Sequence, residues 1–421
     1  MNTSVRSQRD TVELLAPAGS WESLTAALTA GADAVYFGLG ALDMRSLTST
    51  VFTVDTLPAV GARVHEAGCK AYMTLNAVIF DDELNEVKRI IDRALEARID
   101  AVIASDAAVL EIAKRAGMPI HLSTQANVTN IEGVKFYRSF ADVMVLAREL
   151  NLEQIRRIKT EIEQQNIRGP QGQLIRLEAF AHGAVCMAYS GKCYLSLHMM
   201  GSSANRGACL QPCRRSYILI DKENGNEIEV DNSYLMSAAD LKTIGFIDQM
   251  LDAGIQVLKI EGRARSAEYV DTVIRCYREA IDSVYEGTYS QEKITAWNRR
   301  LAAVFNRGFW DGHYLGQKMA VWATSYGSKS ERTKEYAGVC TNYYPRARVA
   351  EIAVQSADIA LQDELIVSGP TTGVVYLTVN ELRIDTMLVE RASKGSTCTI
   401  PCPERVREGD KVYLWKHRTT L

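Results

Sequence analysis

The sequence lacks any run of 18 consecutive apolar residues, so no helix is expected to cross a membrane and no membrane insertion is expected. Its start, MNTSVRSQRD, has no apolar stretch of the kind a secretory signal carries, and the expectation is a cytoplasmic protein. Charge of one sign is also scarce: 48 Lys and Arg stand against 51 Asp and Glu, a formal net charge of −3. Any grip on a polyanion must therefore come from a local patch. Nine cysteines in 421 residues are too few for a small secreted domain held by disulfides. A reducing cytosol would leave such thiols free for metals or chemistry. The chain also has no G-x-G-x-x-G fingerprint for a flavin or nicotinamide, no H-E-x-x-H and no Ser–His–Asp signature.

What is present is a repeat of strand, turn and helix. Short, nearly all-apolar runs occur at 12–19 (VELLAPAG), 32–38 (ADAVYFG), 70–76 (KAYMTLN) and 99–105 (IDAVIAS). Three more follow at 118–125 (MPIHLSTQ), 141–148 (ADVMVLAR) and 175–183 (IRLEAFAHG), with amphipathic segments between them. Strands covered on both faces read this way, and parallel pairing needs such crossovers. An eighth strand at 255–262 (IQVLKIEG) would close a TIM-like (β/α)8 barrel; LMSAAD (235–240) is the rival strand and an open doubly wound sheet the rival fold. The expected organisation is a tail over 1–11, a barrel over 12–333 with a cysteine-bearing insertion at 184–240 and trailing helices, and a small all-β barrel domain over 334–421. Within the insertion, SYILIDKENGNEIEV reads as a hairpin around Asn224 and Gly225.

In a β/α barrel the C-terminal strand ends carry the chemistry. Those ends hold Asn76, Asp106, His121, Ser123, Gln125, Arg148, Glu149, Glu178, His182, Lys259, Glu261 and Arg263. Strand alternation puts His121, Ser123 and Gln125 on one face, and Lys259, Glu261 and Arg263 on another. A dry core would not tolerate them without partners. His121, Gln125, Glu178, His182 and Glu261 are the candidate catalytic groups. Arg148, Lys259 and Arg263 are the candidate cations for a small anionic co-substrate. A buried structural network is the competing reading.

Four of the nine cysteines, Cys186, Cys193, Cys209 and Cys213, follow the spacing C-x6-C-x15-C-x3-C, and no Asp or Glu lies between Val185 and Ile220. Lys192, Arg206, Arg214 and Arg215 make that stretch basic, and Tyr189 and Tyr194 lie beside them. Such a patch suits either RNA or the neutralisation of an anionic centre. A nucleophile paired with His182 would explain one thiol and leave three idle. Four thiolates suit an iron–sulfur cluster or zinc by type, although only the second pair has the tight spacing of structural zinc. Burial of all four as core residues is the remaining alternative. Cys69 and Cys276 read as core thiols; Cys340, Cys398 and Cys402 belong to the C-terminal region.

EAFAHGAVCMAYSGKCYLS (178–196) resembles the signature of the collagenase-like peptidase family of unclassified catalytic type. NRGACLQPCRR (205–215), HLSTQAN (121–127), LKIEGR (258–263) and ELLAPAG (13–19) also match that family, and the resemblance spans about residues 12–315. It is strongest to the tRNA hydroxylation (TrhP-like) branch. That resemblance implies a [4Fe–4S] cluster on Cys186, Cys193, Cys209 and Cys213, with zinc as the second choice of metal. It further implies C5 hydroxylation of the wobble uridine in tRNA, with prephenate as oxygen source and a redox partner. Another branch implies hydroxylation of a cytidine in rRNA. A quinone-modifying branch breaks the C-x3-C pair, which this chain keeps, and this chain has no cysteine from 214 to 275. A metal-dependent peptidase and a non-catalytic iron–sulfur assembly or electron-transfer protein complete the alternatives.

Overall fold

The structure is a computed structural model that describes residues 12–40, 42–43, 51–186, 188, 192–215, 217–220, 222–225, 227–228, 237–318, 321–323 and 327–418. Seven parallel strands come in the expected order: β1 (Glu13–Pro17), β2 (Ala34–Gly38), β3 (Lys70–Thr74), β4 (Ala101–Ala104), β5 (Ile120–Leu122), β6 (Val143–Val145) and β7 (Arg176–Gly183). The eighth, β8 (Val257–Ile260), settles the architecture. It pairs in parallel with β1, Glu13 opposite Val257, and with β7, Glu178 opposite Val257. The ring is therefore closed, and an open sheet is excluded. The rival strand is not part of the ring. Asp240–Lys242 runs antiparallel to the end of β7, Leu241 opposite Gly183, and Phe309–Trp310 pairs beside it in parallel. The start of LMSAAD (235, 236) lies outside the described residues.

Helices α1 (Trp21–Thr29), α2 (Leu57–Glu66), α3 (Leu84–Glu96), α4 (Ala107–Ala116), α5 (Ile131–Tyr137) and α6 (Leu152–Gln164) fill the crossovers. Local chemistry fixes their starts. Ser20 caps α1 by accepting from Ser23 N at 3.1 Å, and Ser23 Oγ accepts from Ser20 N at 2.8 Å, a reciprocal box. Asp106 caps α4, accepting from Ala108 N at 2.9 Å, and also accepts from Ile79 N at 3.2 Å. It is a helix cap and loop tie, which accounts for one acid at a strand end. The insertion carries the short α7 (Leu195–Met200); α8 (Ile247–Asp252) precedes β8. After β8 come α9 (Ala267–Tyr285) and α10 (Gln291–Ala303), the trailing helices. Val273, Ile274 and Ile281 of α9 are fully buried, each worth about 1.5–3 kcal/mol over exposure.

The C-terminal domain is an eight-stranded antiparallel sheet whose first full strand, Arg332–Tyr344, begins two residues before the expected boundary. The outermost strands, Gly373–Thr378 and Met387–Leu388, do not pair with each other among the described residues. Cys340, Cys398 and Cys402 sit in its apolar core, and burial pushes each thiol up to about 11. They are small core hydrophobes. The domain is fastened to the barrel by an apolar contact of Ile366 and Val374 with Ala26 and Ala267. Lys334 adds an ion pair to Glu268 at 3.0 Å, and Thr25 Oγ1 donates to Pro370 O at 2.6 Å.

Candidate functional site

β7 and β8 place the barrel's buried charge. Lys259 Nζ lies 2.7 Å from Glu178 Oε1, with side chains 6% and 0% exposed. The ammonium also sits 4.6 Å from the centroid of the Tyr36 ring. His121 Nδ1 is 3.6 Å from the other Glu178 oxygen, beyond hydrogen-bond reach, and its ring lies against Tyr72 at 4.3 Å. Burial works to raise the Glu178 carboxyl; Lys259 and His121 outweigh it and hold the group well below the usual carboxylate range. Glu178 is thus a fixed anion and not a proton donor near neutrality.

A bulge redirects His182. Between Lys259 and Ile260 the register against β7 skips from Phe180 to His182. Simple alternation would have kept His182 on the same face as Glu178; the extra residue turns it away. Its Nδ1 meets the Tyr277 hydroxyl at 3.3 Å, among the rings of Tyr269, Tyr277 and Phe309. Burial, then Lys242 and Arg265, push its pKa down to about 3. Neither His182 nor His121 reaches the cavity described next.

That cavity, about 410 Å³, opens at the mouth of the barrel under the insertion. All four clustered cysteines line it: Cys186, Cys193, Cys209 and Cys213. So do six cations, Arg148, Arg214, Lys259, Arg263, Arg265 and Arg307, against one carboxylate, Glu261. Gln125 also faces it, held by Nε2 donating to Asn76 O at 2.8 Å and by Ser123 Oγ donating to its Oε1 at 3.0 Å.

The cations differ in how they are matched. Lys259 is spent on Glu178. Arg263 Nη1 lies 2.6 Å from Asp43 and 2.8 Å from Thr74 Oγ1 in a buried pair. Two close approaches frame it: a Cβ on Gly38 would fall 1.9 Å from Asp43 Oδ2, and one on Gly19 would fall 1.7 Å from Arg263 O. The glycine of ELLAPAG therefore seats Arg263. Arg307 faces Asp240 at 3.5 Å. Arg148, Arg214 and Arg265 have no carboxylate partner within 4.0 Å among the described residues. Arg148 lies 4.0 Å over the Phe180 ring, and Arg265 lies 3.6 Å over Phe305. Arg214 donates to Val185 O at 2.6 Å and to Ala238 O at 2.7 Å.

The basic run of the insertion does not act as one patch. Arg206 Nη1 meets Glu83 at 2.6 Å and stacks 4.2 Å over Phe80, so it ties the insertion to the loop before α3. Arg215 and Lys192 are exposed and do not line this cavity, and Tyr194 is 69% exposed. Tyr189 lies outside the described residues. Asp43, Arg265 and Arg307 were missed by the sequence reading. Arg265 was in plain view two residues past LKIEGR; Asp43 and Arg307 reach the site from loops that carry no periodic signal.

The other three thiols act on Cys213. Burial raises the Cys213 thiol, Arg214 lowers it, and Cys186, Cys209 and Cys193 each raise it further. Yet no three His, Cys, Asp or Glu side chains among the described residues converge on a point tightly enough for one metal ion. Four thiols facing a shared, cation-rich cavity match an iron–sulfur cluster or zinc by donor type, and the cations match the charge such a centre would carry. No helix among the described residues is long and apolar enough to cross a membrane.

A family model described as "Peptidase family U32" matches residues 19–324. A protein named "Collagenase" from Porphyromonas gingivalis is 50% identical over 406 residues, 96% of this chain and 98% of that one. "tRNA hydroxylation protein P1" of Bacillus subtilis is 34% identical over 311 residues, 70% of this chain and 71% of that one. "23S rRNA 5-hydroxycytidine C2501 synthase" of Escherichia coli is 35% identical over 276 residues, 65% of this chain and 40% of that one.

Proposed function

This chain belongs to peptidase family U32, and from that premise we propose that it is an RNA-modifying hydroxylation protein. Its specific task is C5 hydroxylation of the wobble uridine of tRNA, with prephenate as oxygen source. The observation that carries this reading is the joining of four thiols and six cations on one cavity at the barrel mouth. The names of relatives at 34% and 35% identity, one for tRNA and one for rRNA, support hydroxylation of RNA.

In this reading Cys186, Cys193, Cys209 and Cys213 hold a [4Fe–4S] cluster. When bound, that cluster supplies one-electron chemistry that side chains lack. Arg214 stands by the cysteines and offsets anionic charge there. Arg148 and Arg265, without carboxylate partners, orient the carboxylates of the small anionic co-substrate. Lys259 and Arg263 form the floor of the cavity with their charges paired to Glu178 and Asp43. Gln125 and Glu261, which accepts from the Tyr36 hydroxyl at 3.3 Å, are the polar groups proposed to position a substrate hydroxyl or hold a proton. The reaction takes place in the cytoplasm, and a redox partner restores the centre.

Nucleoside mass spectrometry of tRNA and rRNA from a deletion strain tests the reading. The expected result is loss of the hydroxylated wobble uridine with rRNA unchanged; loss of an rRNA hydroxycytidine instead would move the substrate to rRNA. The name of the 50% identical relative favours a second reading, a collagenase-like peptidase. Against it, His121 and His182 do not line the cavity. Cleavage of gelatin by the purified chain, lost on chelation and indifferent to tRNA, would establish that second reading.

A further inference from the structure

A second cavity, of about 440 Å³, adjoins the first, and the two share Arg148, Val185, Cys186 and Ala188. A wall bearing a cation and a thiol thus stands between them. The far chamber is aromatic, lined by Trp310, Trp322, Tyr314 and His313, with Lys192 and one carboxylate, Glu149, also on its wall. Its size lies in the range of roughly 300–1,000 Å³ for small-molecule sites.

The local fold holds these rings in place. Trp310 pairs opposite Leu241 in the strand Phe309–Trp310. Trp322 bridges Ala238, and Ala323 N donates to Ser237 O at 2.6 Å. Both tryptophans are therefore pinned to one segment, 238–241, which also anchors Arg214 through Ala238 O. The Tyr314 hydroxyl donates to Phe180 O at 2.7 Å. His313 Nδ1 lies 2.7 Å from Gln317 O, so in the neutral ring Nδ1 carries the proton and Nε2 is an acceptor. Trp310 is only 6% exposed, yet its Nε1 donor has no partner among the described residues. A buried donor left unmatched is costly unless a ligand accepts from it.

A buried N–H donor, an imidazole acceptor, flat rings and a cation together fit a flat heterocycle that alternates carbonyl and N–H groups and is joined to phosphate. We propose that this chamber receives the target pyrimidine base, unstacked from a single-stranded stretch of RNA, beside the Arg148–Cys186 wall. This rests on the RNA reading above and adds how the substrate enters: chemistry on a base requires the base to leave its stack, and aromatic rings replace the lost stacking.

The test compares two short oligoribonucleotides, identical except that one has a central uridine and the other an abasic site, by fluorescence anisotropy. Wild-type protein should prefer the uridine oligomer by about tenfold, the size expected for one stacked base. Trp322→Ala should bring the two affinities close to parity. Trp310→Phe, which keeps a ring and loses the donor, should reduce the preference by a smaller factor, with thermal unfolding confirming that both variants fold. Equal binding of both oligomers by wild type, or a preference unchanged in both folded variants, overturns the base chamber while leaving the RNA reading standing. Failure of the wild type to bind either oligomer overturns both. Displacement of the uridine oligomer by a collagen-like peptide but not by uridine monophosphate also overturns the chamber's assignment.

Discussion

At the scale of single residues, the site is built from charges whose partners decide their use. Among the described residues Arg148 and Arg265 face the cavity without a carboxylate within 4.0 Å, whereas Arg263 is matched by Asp43. Arg148→Ala is therefore expected to lower hydroxylated product by 10-fold or more, on the order of one lost charge-assisted bond, with iron content unchanged. Iron quantification alongside nucleoside analysis checks it. Arg263→Ala instead leaves Asp43 buried and unpaired and should destabilise the fold by about 3–5 kcal/mol, read from denaturant midpoints. Two fully buried groups contribute to the acid dependence of stability. His182, depressed to about 3 from an ordinary 6.5, binds a proton in the unfolded chain well before it does in the folded one. Stability therefore falls as pH drops below 6.5, by up to about 1.4 kcal/mol per pH unit. Glu178, held below its ordinary 4.5, adds a further loss only at lower pH. His182→Phe should flatten the slope between pH 6.5 and 4.5, as measured by urea unfolding at stepped pH, and leave the steeper loss below it.

At the scale of elements, the pattern of apolar runs was enough to place all seven leading strands and the closing one. Buried parallel strands must be apolar on both faces, so their signal is strong. The cysteines and the strand-end polar groups were equally visible, and the closed barrel does bring Cys186, Cys193, Cys209 and Cys213 to one cavity with Arg148, Lys259 and Arg263. His182 was named for its place at a strand end; a bulge opposite Lys259 and Ile260 turns it away from the cavity, and a bulge leaves no mark in the local sequence pattern. Arg206 was read as part of a basic patch because Glu83 is distant in sequence, although the fold brings the two within 2.6 Å. The β2 end is similarly exacting: Gly38→Ala would drive a methyl into both Asp43 and Arg263. That variant should lose activity and lower the melting temperature, and Gly245→Ala, where nothing lies within 4 Å of the added carbon, should keep full activity.

At the scale of the whole molecule, a barrel supplies a floor of paired charge, and an insertion after β7 roofs it with four thiols. The C-terminal domain is locked to α1 and α9 by the contact of Ala26, Ala267, Ile366 and Val374. Its substrate, if RNA, must be drawn by local charge, because the chain as a whole carries a formal −3. Affinity for tRNA should therefore fall steeply as salt rises. The most direct measurement is the nucleoside composition of tRNA from a deletion strain carrying either the wild-type chain or Cys213→Ser. Restoration of the hydroxylated uridine by the wild type, and its absence with Cys213→Ser expressed to the same level, is the predicted result. Full restoration by Cys213→Ser would contradict a function that depends on four sulfurs at the mouth of the barrel.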